Sequence, residues 1–344
     1  MWNAECGIII EYDVVVIGGG PAGMAAALGA AELRSEAVKE SVVRGQGSGD
    51  EIDVLRVALI ERAERLGGIL NQCTHTGFGL SYFGEELTGQ EYARRFVERI
   101  ESSEVEVLTD TMVMDIGADH VVSVSGVQTG FRRVRAKVVV LATGCRERPI
   151  GALPVTGSRP SGVFTAGAAQ KMINLGGYDL GNRFVILGSG DVGLIVAREL
   201  AKRGKDVIAV IEKEAKCGGL SRNRINCLEQ YGIPLLTHST VSKVHGMPRV
   251  SGVTVMHSEA GQESGDGDTG IQNNTFIECD TLITSVGLIP ERELYSHKVN
   301  DWLFVCGNAD YVHAIVDSVT VESEKIGRSA AIAALHPIIN NNVL

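Results

Sequence analysis

Two short glycine clusters constrain this chain more than anything else in it. Tyr12 to Ile17 is a β-branched, apolar run that reads as a strand buried on both faces. Gly18-Gly19-Gly20-Pro21-Ala22-Gly23 follows it directly, ahead of an alanine-rich helix from Ala22 to about Leu33. Phe184 to Leu187 is a second such strand, followed by Gly188-Ser189-Gly190-Asp191-Val192-Gly193 and a helix from Asp191 to Arg203. In a turn of this kind the first glycine permits a tight reversal. The second lets the backbone approach a pyrophosphate, and the third lets helix pack on strand. The helix behind it presents unpaired N–H groups and a positive dipole end to phosphate.

Glycines alone are a weak signal, and an acidic residue closing the next strand makes it specific. Both turns meet that test, since Val54 to Ile60 ends in Glu61 and Val207 to Ile211 ends in Glu212. Gly193 to Glu212 is 19 residues, whereas Gly23 to Glu61 is 38. The polar stretch at 34–53, RSEAVKESVVRGQGSGDEID, accounts for the surplus and is expected to be an exposed, flexible insertion. Glu212 would accept from both ribose hydroxyls and repel a 2′-phosphate, which favours NAD over NADP. Lys213 and Lys216 stand close enough in sequence to bind that phosphate instead.

Two such starts in one chain are a duplication of architecture, not a short-period solenoid. The expected fold class is therefore α/β, with two Rossmann-type, three-layer dinucleotide-binding domains, one inserted in the other. Residues 1–150 and 281–344 would form the discontinuous outer domain and residues 151–280 the inner one. A helix carrying Tyr92, Phe96 and Ile100 follows the Leu87-Thr88-Gly89 turn, and Lys137 to Leu141 reads as a further buried parallel strand. Val105 to Leu108 and Val121 to Val127 are expected in an antiparallel layer. The polar gap at 257–275 is expected to be a hairpin loop. Thr281 to Val286 and Leu303 to Cys306 read as strands, and the last helix as Asp317 to Leu335.

Composition narrows the function classes. Lys and Arg number 32 against 42 Asp and Glu, a net charge of −10, and no basic block stands out. A nucleic-acid or anionic-membrane surface is thereby disfavoured. Glycine is 42 of 344 residues, well above the usual ~7%. The seven cysteines (Cys6, Cys73, Cys145, Cys217, Cys227, Cys279, Cys306) include no C-x-x-C pair and no Cys/His cluster at zinc spacing. They read as reduced thiols in a reducing, cytoplasmic setting. Val14 to Ala31 runs 18 residues without a charge, but Gly18 to Pro21 break it into strand and helix, so no membrane span is expected. Glu5 and Glu11 and the lack of a basic start argue against a secretory signal.

With the segments VVVLATGCRERP (138–149) and FVCGNAD (304–310), the two turns resemble the pyridine nucleotide–disulfide oxidoreductase superfamily. The resemblance implies FAD on the outer domain and NAD(H) on the inner one. Carried onto this sequence, it implies FAD-binding residues Gly18, Gly20, Gly23, Glu61, Arg62 and Gly68. It adds the crossover Ala142-Thr143-Gly144 and the pair Gly307-Asn308, where Asn308 replaces the aspartate that usually holds the flavin ribityl chain. For NAD it implies Gly188, Gly190, Asp191, Val192, Gly193, Glu212 and, at the return crossover, Gly287. The segments LGGILNQCTHTGFGL (66–80), EELTGQEYARRF (85–96) and GGLSRNRINCLEQYGIPLL (218–236) are similar to a branch found as subunits of glycerol-3-phosphate and opine or amino-acid dehydrogenase complexes.

That branch lacks a redox disulfide, and Leu70 and His75 stand where the glutathione-reductase branch has cysteines. The implied reaction is hydride transfer between NAD(H) and flavin, with electrons passed to or from a partner subunit. Candidate catalytic residues are Cys73, as a redox thiol, and His313, as an acid/base beside the last helix; His75 is weighed with them. Each has a plainer reading, a small packed thiol for Cys73 or Cys145 and a structural hydrogen-bonder for the histidines. Two alternatives stay open. One is a stand-alone NADH oxidase or disulfide reductase using Cys73. The other is a non-catalytic flavoprotein scaffold, favoured by a Gly287-to-Gly307 segment shorter than the resemblance leads one to expect.

Overall fold

A computed structural model describes residues 9–43, 55–128, 130–258, 273–294 and 301–336, giving over 34–43 the course of the backbone. The chain divides into two compact units, Met1–Arg146 with Pro290–Leu344, and Glu147–Ile289.

In the first unit, five strands run parallel in the order Glu106–Leu108, Val57–Ile60, Ile9–Ile17, Gly130–Leu141, Leu303–Val305. A strand buried on both faces needs apolar side chains at every position, and the central ones have them. Val14, Val16, Val138 and Val140 face one core; Val15, Ile17, Val139 and Leu141 face the other. The first core is covered by helices Pro21–Val43, Gly89–Glu101 and Val316–Leu335. Helix Gly89–Glu101 opens on a capping box of Thr88 and Glu91 and buries Tyr92, Phe96 and Ile100 at four-residue spacing. The long helices cross closely enough that a Cβ on Gly327 would lie 1.9 Å from Ala26 O. The second core is covered by antiparallel strands Thr111–Ile116 and Val121–Gly126, which continue from the first half of Gly130–Leu141.

The second unit repeats the layering. Its parallel sheet has the order Val163–Thr165, Thr281–Thr284, Arg183–Leu187, Asp206–Ile211, Leu235–Leu236. Helices Ala166–Asn174, Asp191–Lys202 and Ser221–Cys227 cover one face, and a four-stranded sheet with Ser239–His245 at its centre covers the other. Strands Gly252–His257 and Asn273–Ile277 pair antiparallel across the polar gap, whose residues 259–272 lie outside the described ones.

Two expectations need correction. The first helix does not end near Leu33 but continues to Val43, because residues 34–43 contain no Gly or Pro and include the good helix formers Arg34, Glu36, Ala37, Lys39 and Glu40. Only 44–53 of the expected insertion remains non-helical in expectation, and it lies outside the described residues. Glu106–Leu108 is not in the antiparallel layer; it pairs parallel with Val57–Ile60 as the edge of the main sheet. Its three-residue pattern carries no direction, which is set by the helix Gly89–Glu101 returning the chain to the same end of the sheet.

Candidate nucleotide turns and an acid–base cleft

The glycines of the two turns divide by what surrounds them. Gly18 and Gly188 have φ of +108° and +96°, and a Cβ there would meet Ala142 O at 2.4 Å or Ser285 O at 2.1 Å. A Cβ on Gly23 would fall 1.7 Å from Gly18 O, and one on Gly193 2.8 Å from Ser285 Cβ. These four positions are required by the protein's own packing. The middle glycines are not. Around Gly20 the nearest atom to such a Cβ is Gly68 Cα at 4.0 Å, and around Gly190 it is Ser285 Oγ at 3.6 Å. The chain keeps a bare backbone at the mouth of each helix where nothing in the protein demands one.

The turns are built alike bond by bond. Gly18 N donates to Ile60 O at 2.8 Å and Gly188 N to Ile211 O at 2.7 Å. Glu61 accepts from Gly19 N at 2.6 Å and Ala63 N at 2.7 Å. Glu212 accepts from Ser189 N at 3.0 Å and Glu214 N at 2.9 Å. Each acid thus clamps the reversal that precedes its strand's neighbour, with lone pairs remaining on both Glu61 oxygens and on Glu212 Oε1. The crossovers match as well: Ala142 N donates to Ile17 O at 2.8 Å, and Ser285 N to Leu187 O at 2.7 Å. Asp191 accepts from Leu220 N at 2.8 Å and Asn223 Nδ2 at 2.7 Å, holding segment 220–223 beside the second helix start. Val192 packs against that unit's helical core.

The remaining expected residues lie in surroundings that range from crowded to open. Gly68 has φ +54° and packs beside Gly20, while Arg62 is exposed next to Glu61. Thr143 Oγ1 donates to Glu291 O at 2.7 Å, and Gly144 and Gly287 both hold positive φ with open space around them. Gly307 packs against Ala22 and Val319. His75 contacts Thr76 O through Nδ1 at 3.0 Å and lies against the Phe78 ring. Cys73 is buried, with Sγ 3.4 Å from Ile69 O, and burial pushes its thiol up to about 12. A thiol held protonated is a poor nucleophile, which fits a packed side chain better than a redox centre.

His313 belongs to a different arrangement. A cleft of about 420 Å³ runs along the start of the last helix, lined by Tyr311, His313, Ile315, Ser318, Glu322 and Lys325 among others. The His313 side chain is 4% exposed and its Nε2 lies 2.5 Å from Glu322 Oε2. Tyr311 stacks on the imidazole with centroids 4.0 Å apart. Asn308 Oδ1 accepts from His313 N at 3.0 Å, and Asn308 Nδ2 points to Cys145 Sγ at 3.7 Å. Asp317 takes up Gly79 N, Ser81 N and Tyr82 N, tying that loop to the helix start. The sequence reading missed Glu322 and Asp317. Glu322 lies nine residues after His313, and no short motif links them; Asp317 opens a helix and so passes for an ordinary first-turn acid. It also missed Ser189, whose Oγ joins Glu212 Oε2 at 2.5 Å to Gly218 N at 2.7 Å.

Comparison with known proteins sets these turns in a family. The alpha chain of sarcosine oxidase from Corynebacterium sp. (strain P-1), a subunit of that enzyme, is 26% identical over 335 residues, covering 92% of this chain and 30% of that protein. An opine oxidase subunit of Agrobacterium tumefaciens (strain Ach5) is 27% identical over 292 residues, covering 80% of this chain and 54% of that protein. The chain therefore spans 30% of the length of the first relative and 54% of the second. Among solved structures, T. acidophilum thioredoxin reductase superposes with a TM-score of 0.66 at 19% identity, covering 94% of this chain and 97% of that one, which shows the same fold. Among the described residues no helix is long and apolar enough to cross a membrane. The profile of the pyridine nucleotide-disulphide oxidoreductase family matches residues 12–306, and the chain, with its two Rossmann-type units, is a member of that family of FAD-dependent oxidoreductases.

Proposed function

We propose that the first unit binds FAD and the second NAD(H), that the protein exchanges a hydride between them, and that it passes electrons to or from a partner subunit. The observation that carries this reading is the pair of open positions at Gly20 and Gly190, each a cradle that a Cβ would fill and that the protein's packing leaves free. Gly18, Gly20, Gly23 and Glu61 would hold the FAD pyrophosphate and ribose, with Asn308 and the Ala142-Thr143-Gly144 turn toward the flavin end. Gly188, Gly190, Gly193 and Glu212 would hold NAD(H). Bound FAD would supply reversible hydride acceptance at its ring system.

What the chain itself contributes is position and field. The first N–H groups of helices Pro21–Val43 and Asp191–Lys202 would be the donors available to the pyrophosphates. Glu61 and Glu212, fixed by two backbone N–H groups each, offer preset acceptors to ribose hydroxyls. The two relatives are named as subunits of oxidases, which supports a partner as the next redox centre. The raised, buried Cys73 thiol weighs against the disulfide-reductase alternative. Anaerobic titration of the purified, flavin-containing chain with NADH tests the reading. Stoichiometric loss of the flavin absorbance bands is expected. A chain that binds no flavin, or a flavin that NADH leaves oxidised, overturns it.

A further inference from the structure

Among the described residues, every hydrogen-bond partner around the His313 ring is an acceptor. Nδ1 faces Asn308 Oδ1 at 3.3 Å and Tyr311 O at 3.0 Å, and Nε2 faces Glu322 Oε2 at 2.5 Å. Turning the Asn308 amide over does not relieve this, because Oδ1 already accepts from His313 N at 3.0 Å. Tyr311 O is a main-chain carbonyl and can only accept. Nδ1 therefore carries a hydrogen. The short contact to Glu322 needs a hydrogen as well, either on Nε2 or on the carboxyl. A neutral imidazole facing an ionised carboxylate is one hydrogen short of satisfying both sides.

We propose that His313 and Glu322 form an acid–base dyad that keeps one extra proton in the wall of this cleft, making it a proton-donating site for a small polar ligand. The titratable groups Asp317, Asp310 and Tyr311 nearby are already engaged. Asp317 is taken up by three backbone N–H groups, Asp310 pairs with Arg292 at 2.7 Å, and Tyr311 Oη donates to Glu322 at 3.3 Å. Lys325, exposed on the cleft rim, disfavours a cationic occupant and favours one with an anionic or lone-pair-bearing oxygen or nitrogen. Ile315 and Val321, both exposed, add apolar lining suited to a short carbon skeleton. On donation the proton moves to that oxygen or nitrogen. The dyad is left as an Nδ1–H imidazole beside an ionised Glu322, and the occupant gains one unit of positive charge.

The test reads the ring directly, by long-range ¹H–¹⁵N correlation on the flavin-containing chain labelled at histidine, at pH 7.5. His313→Asn assigns the signal among the eight histidines. Wild type is expected to show Nδ1 protonated, with Nε2 protonated or in a strong shared bond. Glu322→Gln, nearly isosteric, is expected to lower the doubly protonated or shared-proton signal by about tenfold or more, since the charge-assisted bond is gone. A ring with bare Nδ1 in wild type, or one that Glu322→Gln leaves unchanged, overturns the proposal. The wild-type spectrum decides by itself if a variant fails to fold. Flavin absorbance of the same samples keeps the outcomes separate, because a flavin-free wild type counts against the cofactor reading and not against the dyad.

Discussion

Alanine at Gly20 and alanine at Gly23 are the same chemical change three residues apart, and the structure gives them opposite consequences. At Gly20 the new Cβ meets nothing nearer than 4.0 Å. The apoprotein should therefore change by no more than about 0.5 kcal/mol, or gain slightly from a stiffer unfolded chain, which is about 2 °C in Tm at most. At Gly23 the Cβ would sit 1.7 Å from a backbone oxygen that is itself fixed in the turn. Neither atom is the end of a flexible side chain, so relief requires moving helix against strand. The cost should reach the upper end of overpacking, about 3 kcal/mol. With FAD the order reverses in interest. A methyl at Gly20 occupies the approach to the helix N-terminus, and losing two charge-assisted hydrogen bonds to phosphate removes about 3 kcal/mol or more, a drop in affinity of about a hundredfold. Thermal melts of the flavin-stripped protein and titration of FAD by quenching of its fluorescence measure the two effects separately. A Gly20→Ala protein that binds FAD within about threefold of wild type, or an apoprotein as damaged as Gly23→Ala, refutes the assignment of that open position to a pyrophosphate.

Glu212→Arg should invert the preference from NADH to NADPH in flavin-reduction rates and, by releasing the clamp on Ser189 and Glu214, lower stability by about 1–3 kcal/mol; wild-type rates equal for both nucleotides would count against the reading. Cys73→Ser should cost about 1 kcal/mol of stability and leave NADH bleaching of the flavin unchanged in stopped flow, whereas normal bleaching with all turnover lost would promote the disulfide-reductase alternative. Burial pushes the Cys73, Cys279 and Cys306 thiols up to about 12 from 9.0, so the folded chain holds protons that the unfolded chain loses. Their contribution is complete below about pH 9 and falls as pH rises toward 12. Urea midpoints should decline over that window, and less steeply in Cys73→Ala; an unchanged slope would show that Cys73 is not buried in solution.

What the sequence made legible was whatever is encoded within a few neighbouring residues. Each turn announces itself because three constraints, a positive φ, a close helix and a bare approach, fall within six residues, and each acid ends a run of apolar β-branched residues. Partners that meet through the fold were not legible. His313 and Glu322 meet only because the last helix carries Glu322 back past the loop it starts from. Asp317 reaches residues 79–82 across some 235 positions of chain. The length of the first helix was misjudged for the converse reason. Polarity suggested a loop over 34–43, but a polar segment without Gly or Pro can continue a helix that is already nucleated, since propagation is far cheaper than initiation.

The second position of the two turns shows why the variable residues in such a pattern are not idle. Gly19 is hemmed in, and its Cβ would meet Leu66 Cδ2 at 2.5 Å and Glu61 Cβ at 2.9 Å, because segment 66–68 lies over the turn and Gly67 N donates to Gly19 O at 2.8 Å. Ser189 holds the equivalent place, bonded to the equivalent glutamate, and its side chain is fully buried. Its hydroxyl bridges Glu212 to Gly218, so that segment 217–220 covers the second turn as 66–68 covers the first. One turn is roofed by packing and the other by a hydroxyl bridge. A serine placed at Gly19 would therefore collide with Leu66, whereas a glycine placed at Ser189 would leave Gly218 N without its bond and Glu212 with one donor fewer. The backbone geometry that the middle glycine needs is common to both units; the means of holding the acid beside it is particular to each.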